Sequence, residues 1–167
     1  KYRQPFSDID LVTCRSHITR CEKIFEKMGF TQNWNVKTLF GSQRRAFHAS
    51  NDLTVDVYID KLQLCQTIPI GDRMRLDYPT ISLSDLFLSK IQNIALKEKD
   101  IFDLEILLRQ SGLEQKNGSG IDLDYIGRLC ATHWGWLKTL GMNITYFIQQ
   151  SKKITDAGPI DPQIIEE

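Results

Sequence analysis

The sequence has no surplus of either charge: 21 Lys and Arg face 21 Asp and Glu over 167 residues. That balance removes the bulk electrostatic case for nucleic acid or an anionic membrane and leaves only local patches. No apolar run approaches the roughly 20 residues that a bilayer-spanning helix needs, so no membrane partner is expected. No secretory leader is legible at the start, and a cytoplasmic protein is the expectation. Cysteine is scarce. Cys14, Cys21, Cys65 and Cys130 fit neither a zinc ribbon nor a CxxC redox pair, and read as buried or partly buried thiols of a reducing compartment. Three histidines, His17, His48 and His133, lack metal-ligand spacing and read as structural or solvent-facing. There is no repeat and no low-complexity tract. Asn143-Ile144-Thr145 spells a glycosylation sequon, which carries no meaning without secretion.

What is present is a change of character along the chain. Residues 9–13, Ile-Asp-Leu-Val-Thr, read as a short strand between turn formers. Ser16 can cap a helix to about Met28, in which Ile18, Cys21, Ile24, Phe25 and Met28 follow helical spacing and Gly29 supplies the C-cap. Phe30 to about Leu39 reads as extended. With a return strand over Arg44–Ala49 after the Gly41-Ser42 turn, it makes a predicted hairpin. From Leu53 to Ile59 the residues alternate, with Leu53, Val55, Val57 and Ile59 on one face and Thr54, Asp56 and Tyr58 on the other. Residues 60–81 contain turn signals and predict short strands and loops. Beyond Ser82 the pattern is helical: Ser84-Asp85 opens a helix to about Leu96, and Asp100–Arg109 forms another. A polar linker spans Gln115–Gly120, and two more helices run from Asp122 to about Lys138 and from about Met142 to Lys152. The fold class is α/β (α+β). It comprises a mixed sheet over 1–82, a helical part over 83–156 and a loose tail over 157–167.

The chemistry concentrates in Ser7-Asp8-Ile9-Asp10-Leu11-Val12. Aspartates at i and i+2 of a strand point to one face. Two neighbouring carboxylates repel unless protons or a cation neutralise them, and an oxygen-lined divalent site is the natural resolution. Asp56 stands mid-strand between apolar neighbours, 46 residues after Asp10. If its strand lies beside the first, three carboxylates converge, and such a cluster can hold one or two metals for in-line phosphoryl transfer.

Asp8 and Asp10, followed by Asp56 on a later strand, resemble the D-h-D and third Asp of the DNA polymerase beta-type nucleotidyltransferase superfamily. Within it they are most similar to the bacterial minimal and abortive-infection toxin-like members. Leu83-Ser84-Asp85-Leu86-Phe87-Leu88-Ser89-Lys90, then Lys97-Glu98-Lys99-Asp100-Ile101-Phe102-Asp103-Leu104, is similar to the stretch where one helix carries a Lys and a Lys-Asp-x-x-Asp-Leu step opens the next. The resemblance covers residues 3 to about 110. It implies that Asp8 and Asp10 bind Mg²⁺ (up to two ions) and nucleotide phosphates, and that Asp56 completes the second metal position and acts as base on the acceptor hydroxyl. It also implies that Lys90 approaches the phosphates or base, with Asp100 and Asp103 near the cleft. The bland reading of Asp100 and Asp103 is helix capping and pairing with Lys97 or Lys99. Arg3, Arg44 and Arg45 are within reach of phosphates as a class, although Arg44-Arg45 on a hairpin also fits a solvated strand edge. His133-Trp134-Gly135-Trp136 reads as packing surface more than a base-stacking platform. The family's Gly-Ser signature should precede the D-h-D. Only seven residues do so here, and Gly41-Ser42 follows it, so a domain lacking its N-terminal strand and helix is expected.

The resulting expectation is a Mg²⁺-dependent enzyme that moves a nucleoside monophosphate from an NTP to a hydroxyl acceptor (small molecule, tRNA or protein). The alternatives are a catalytically silent binding module of that fold, or the toxin of a toxin–antitoxin pair.

Overall fold

The computed structural model describes residues 8–50, 52–111, 113–114 and 120–156. Arg3, the tail over 157–167 and all of the predicted linker except Gly120 lie outside them. The fold is mixed α and β, and the chain divides into two compact units, Lys1–Ile81 and Ser82–Glu167.

In the first unit, β1 (Asp8–Thr13) leads through a single 3₁₀ turn at Arg15–His17 into α1 (Ile18–Lys27). Gly29, at φ 84°, ends α1 in the left-handed conformation that only a residue without Cβ takes cheaply. Phe30 N–H donates to Phe25 C=O and Gly29 N–H to Glu26 C=O, both at 3.0 Å, which completes a Schellman motif.

The predicted hairpin arm over 30–39 is not a strand. Only β2 (Thr31–Gln32) is extended, and α2 (Trp34–Phe40) follows at once. Asn33 decides this: its Oδ1 accepts from the Val36 N–H at 3.2 Å, an N-cap. The Trp34 ring then lies under the Lys37 ammonium, 4.8 Å from the ring centroid. Next come β3 (Arg44–His48) and β4 (Thr54–Ile59), then the small hairpin of β5 (Lys61–Gln63) and β6 (Thr67–Pro69).

The four-stranded sheet has the order β1-β4-β3-β2, with β1 parallel to β4 and the other neighbours antiparallel. One face is apolar. Phe47, Val55, Val57 and Ile59 bury themselves with Ile18 of α1, and Cys21, Phe25 and Phe30 pack around them. The Phe25 and Phe47 rings stack at 4.6 Å. The helix covers the middle of the sheet and leaves the edge strand less protected, so Ile9 and Leu11 of β1 stay 41% exposed.

The second unit contains α3 (Leu83–Ile91), α4 (Glu98–Ser111), a short parallel pair β7 (Leu113–Glu114) and β8 (Ile121–Asp122), α5 (Leu123–Thr132) and α6 (Trp134–Asp156). Leu88, Ile91, Leu104, Ile121, Trp136 and Leu140 form much of its buried surface. The cap of α3 is Ser82, two residues before the predicted start. Ser82 Oγ accepts from the Asp85 N–H at 3.2 Å and donates to Asp85 Oδ2 at 2.6 Å. The predicted break near Gly141 is absent. The chain turns instead at His133, whose extended backbone separates α5 from α6. Helix α6 then runs through Gly141 because nothing there demands a non-helical backbone.

Candidate functional site

The second face of the sheet is polar, and strand register decides what meets on it. Asp8 pairs with Thr54, Asp10 with Asp56 and Val12 with Tyr58. Register partners project to one side, so Asp8, Asp10 and Asp56 share a face opposite the apolar core. Across β3, Arg44, Ala46 and His48 are the partners of Tyr58, Asp56 and Thr54, which extends the same surface. Asp8 and Asp10 are exposed, while the Asp56 side chain is 26% exposed.

Asp56 has a partner that the sequence reading did not assign. Arg44 Nε donates to Asp56 Oδ1 at 3.0 Å, and Arg44 Nη2 lies 2.9 Å from Oδ2. This is the two-pronged guanidinium–carboxylate geometry that makes such pairs strong and directional. The Arg44 guanidinium also sits 5.8 Å from the Tyr58 ring centroid. Burial raises the Tyr58 phenol above its ordinary value of 10.0, the Asp10 carboxylate adds to the rise, and Arg44 opposes it by more than Asp56 contributes. Tyr58 therefore stays protonated at neutral pH, and of the charges around it the Asp10 carboxylate acts most strongly.

As a donor set, three carboxylates on one face suit a hard divalent cation. Their spacing does not yet form one: among the described residues, no three His, Cys, Asp or Glu side chains gather closely enough to hold a metal ion. On the β4 side, both Asp56 oxygens are engaged by the Arg44 fork.

The other predicted residues fall elsewhere. Lys90 belongs to the helical unit, where its Nζ donates to Asp103 Oδ2 at 2.6 Å, each side chain one-third exposed. Asp103 thus pairs with Lys90 in place of Lys97 or Lys99, while Asp100 caps α4 by accepting from the Lys97 N–H at 3.1 Å. Arg45 is not a solvated edge cation. It projects to the apolar side and pairs with Glu22 of α1, Nε to Oε1 at 2.5 Å, and that carboxylate also takes Lys37 at 3.1 Å and Gln32 at 3.2 Å. Burial alone would raise the Glu22 carboxyl. The hydrogen bonds from Arg45, Gln32 and Lys37 outweigh it and hold the group below its ordinary 4.5. His17, His48 and His133 are exposed. Cys65 is exposed too, against the expectation of partly buried thiols, whereas Cys14, Cys21 and Cys130 are intermediate.

The buried polar residues of the helical unit had no sequence signal beyond helix-capping letters. Asp85 is fully buried, with Ser82 on one oxygen and the Tyr125 hydroxyl on the other at 3.0 Å. Ser84 Oγ accepts from the Asp122 N–H at 2.8 Å and so ties β8 to α3. Asn143, the sequon asparagine, is 7% exposed, and its amide donates to the carbonyls of Ile91 at 2.6 Å and Asn93 at 2.8 Å. A side chain held this way has no accessible nitrogen for a glycan.

No family of known proteins matches this chain, and no curated protein or solved structure does either. No helix among the described residues is long and apolar enough to cross a membrane.

Proposed function

We propose that the polar sheet face is the phosphate-handling site of a Mg²⁺-dependent nucleotidyltransferase, with an NTP as donor and a hydroxyl compound as acceptor. One observation carries the reading: the parallel β1–β4 register sets Asp10 directly beside Asp56, with Asp8 on the same side. A divalent cation, when bound, would neutralise charge on the phosphates. Asp8, Asp10 and Asp56 are the residues that would hold it, once Arg44 has left Asp56. The freed Arg44 guanidinium matches phosphate oxygens as well as carboxylate oxygens, so it has a second place to go. Its side chain, 38% exposed, has room to make that move. Lys90 remains a candidate phosphate ligand by the sequence resemblance alone, and Arg3 by its charge alone.

The Arg44–Asp56 pair also favours a second reading. A neutralised Asp56 is what a catalytically silent module with a nucleotidyltransferase-like sheet would retain, as a binding surface without turnover.

Incubation with Mg²⁺ and an α-phosphate-labelled NTP, in the presence of candidate acceptors, separates the two. The enzyme reading expects labelled acceptor from the wild type and a loss of about 100-fold or more in Asp10→Ala and Asp56→Ala, the scale on which transition-state electrostatics act. Equal labelling by those variants rejects it. Saturable nucleotide binding with no transfer selects the module.

A further inference from the structure

Helix α6 buries one face through Trp136, Leu140 and Asn143. A second face is also apolar and lies open. Trp134 is 75% exposed, Leu137 56%, Ile144 40% and Ile148 47%, and a groove of about 590 Å³ flanks the first part of this face, where Trp134, Leu137 and Gly141 line it with Met142 and Tyr146. Trp134, Leu137, Gly141, Ile144 and Ile148 follow spacings of three and four residues, the alternation of a coiled-coil seam. A helix packed only on its own core needs one such stripe, and α6 has two.

We infer that this second stripe is the interface between two copies of the chain, with the α6 helices packed antiparallel about a two-fold axis near Met142 and Asn143. The sequence supplies the shape complementarity for that arrangement. With the axis there, Leu137 of one copy meets Ile148 of the other, and Gly141 meets Ile144. A large residue therefore enters the space left by a glycine, twice, by symmetry. No neighbouring atom lies within 4 Å of where a Gly141 Cβ would stand, so the hole is open for a partner side chain. A self-complementary patch of this kind is what a two-fold homodimer requires. The size is adequate. The exposed parts of Trp134, Leu137, Ile144 and Ile148 come to roughly 500 Å² per copy, so a pair buries about 1,000 Å², the size from which specific interfaces begin. The stripe itself carries no charge; Lys138 lines the groove beside it and Lys152 follows one turn after Ile148.

Sedimentation equilibrium of the whole chain over micromolar to hundred-micromolar concentration tests this. Wild type should show a reversible dimer. Ile144→Lys should raise the dissociation constant by at least about 100-fold, a loss that burying an unpaired charge in an apolar seam readily produces. Gly141→Leu is the more telling variant. Its new side chain meets open space in a single copy and should leave the helical circular dichroism and melting temperature intact, yet it fills the hole that the partner's Ile144 needs. It should weaken dimerisation by about tenfold or more. A wild type that stays monomeric throughout overturns the inference. So does a dimer indifferent to both substitutions, or one whose α6 helices prove parallel by spin-label distances from Trp134→Cys, which the antiparallel pairing keeps far apart.

Discussion

At the scale of single residues, the decisive side chains are those whose polar atoms are shared between elements. Glu22 is one. Its carboxyl is held below 4.5 in the folded protein, so its contribution is present above that value and is lost as pH falls through the folded one. Wild type should therefore lose stability relative to Glu22→Gln as pH drops below about 4.5, and the two melting curves should converge under acid. Asn143 is another. Asn143→Ala leaves the Ile91 and Asn93 carbonyls without that donor, one of them in a buried bond, and should cost roughly 1–3 kcal/mol in denaturant unfolding. Tyr58 reports on the candidate site. Because Asp10 and Asp56 help to raise its phenol, Asp10→Asn should bring its absorbance titration down toward 10.0, with the remaining rise due to burial. A Tyr58 titration unchanged in that variant would show that the Asp10 carboxylate does not face it.

At the scale of elements, local signals and their competition explain what the sequence made legible. Alternation in Thr54–Ile59 and the 3–4 spacing of Ile18, Cys21 and Phe25 identify β4 and α1, because each buries one face against the other. The segment after Gly29 misleads, since Phe30, Trp34 and Val36 carry β-propensity, and the one helix signal is the cap of Asn33. The cap prevails because α2 is tied at its start to β3, where Asn33 N–H donates to Ala46 C=O at 2.8 Å. Asn33→Ala should cost about 1 kcal/mol and shorten α2. The same blindness hides the Arg44–Asp56 pair. The sequence offers Arg44 as a phosphate ligand or an edge cation, and only the β3–β4 register places it diagonally beside Asp56. Convergence of the aspartates was conditional for the same reason: D-h-D spacing fixes that Asp8 and Asp10 share a face, but which strand lies beside them is a tertiary fact. Asp85 is the strongest element-level test in the helical unit. Asp85→Ala keeps the backbone N–H that Ser82 caps but leaves the buried Ser82 and Tyr125 hydroxyls short of an acceptor, a loss of roughly 1–3 kcal/mol.

At the scale of the whole molecule, two compact units are joined at residues 81–82, each with its own core. The carboxylates of the proposed site come from the sheet unit alone, and the apolar stripe of α6 from the helical unit alone. The proposed chemistry and the inferred assembly thus lie on separate pieces of chain, and substitutions in one should leave the other's readout unchanged. Asp8, Asp10 and Asp56 are proposed to form a cation site on one sheet face, gated by Arg44. Electron paramagnetic resonance of Mn²⁺ added to the protein measures it most directly. Wild type should bind Mn²⁺ saturably, Arg44→Gln more tightly because the competing guanidinium is gone, and Asp10→Asn/Asp56→Asn not at all. Binding that survives the double substitution, or an Arg44→Gln protein that takes up no Mn²⁺, would contradict it.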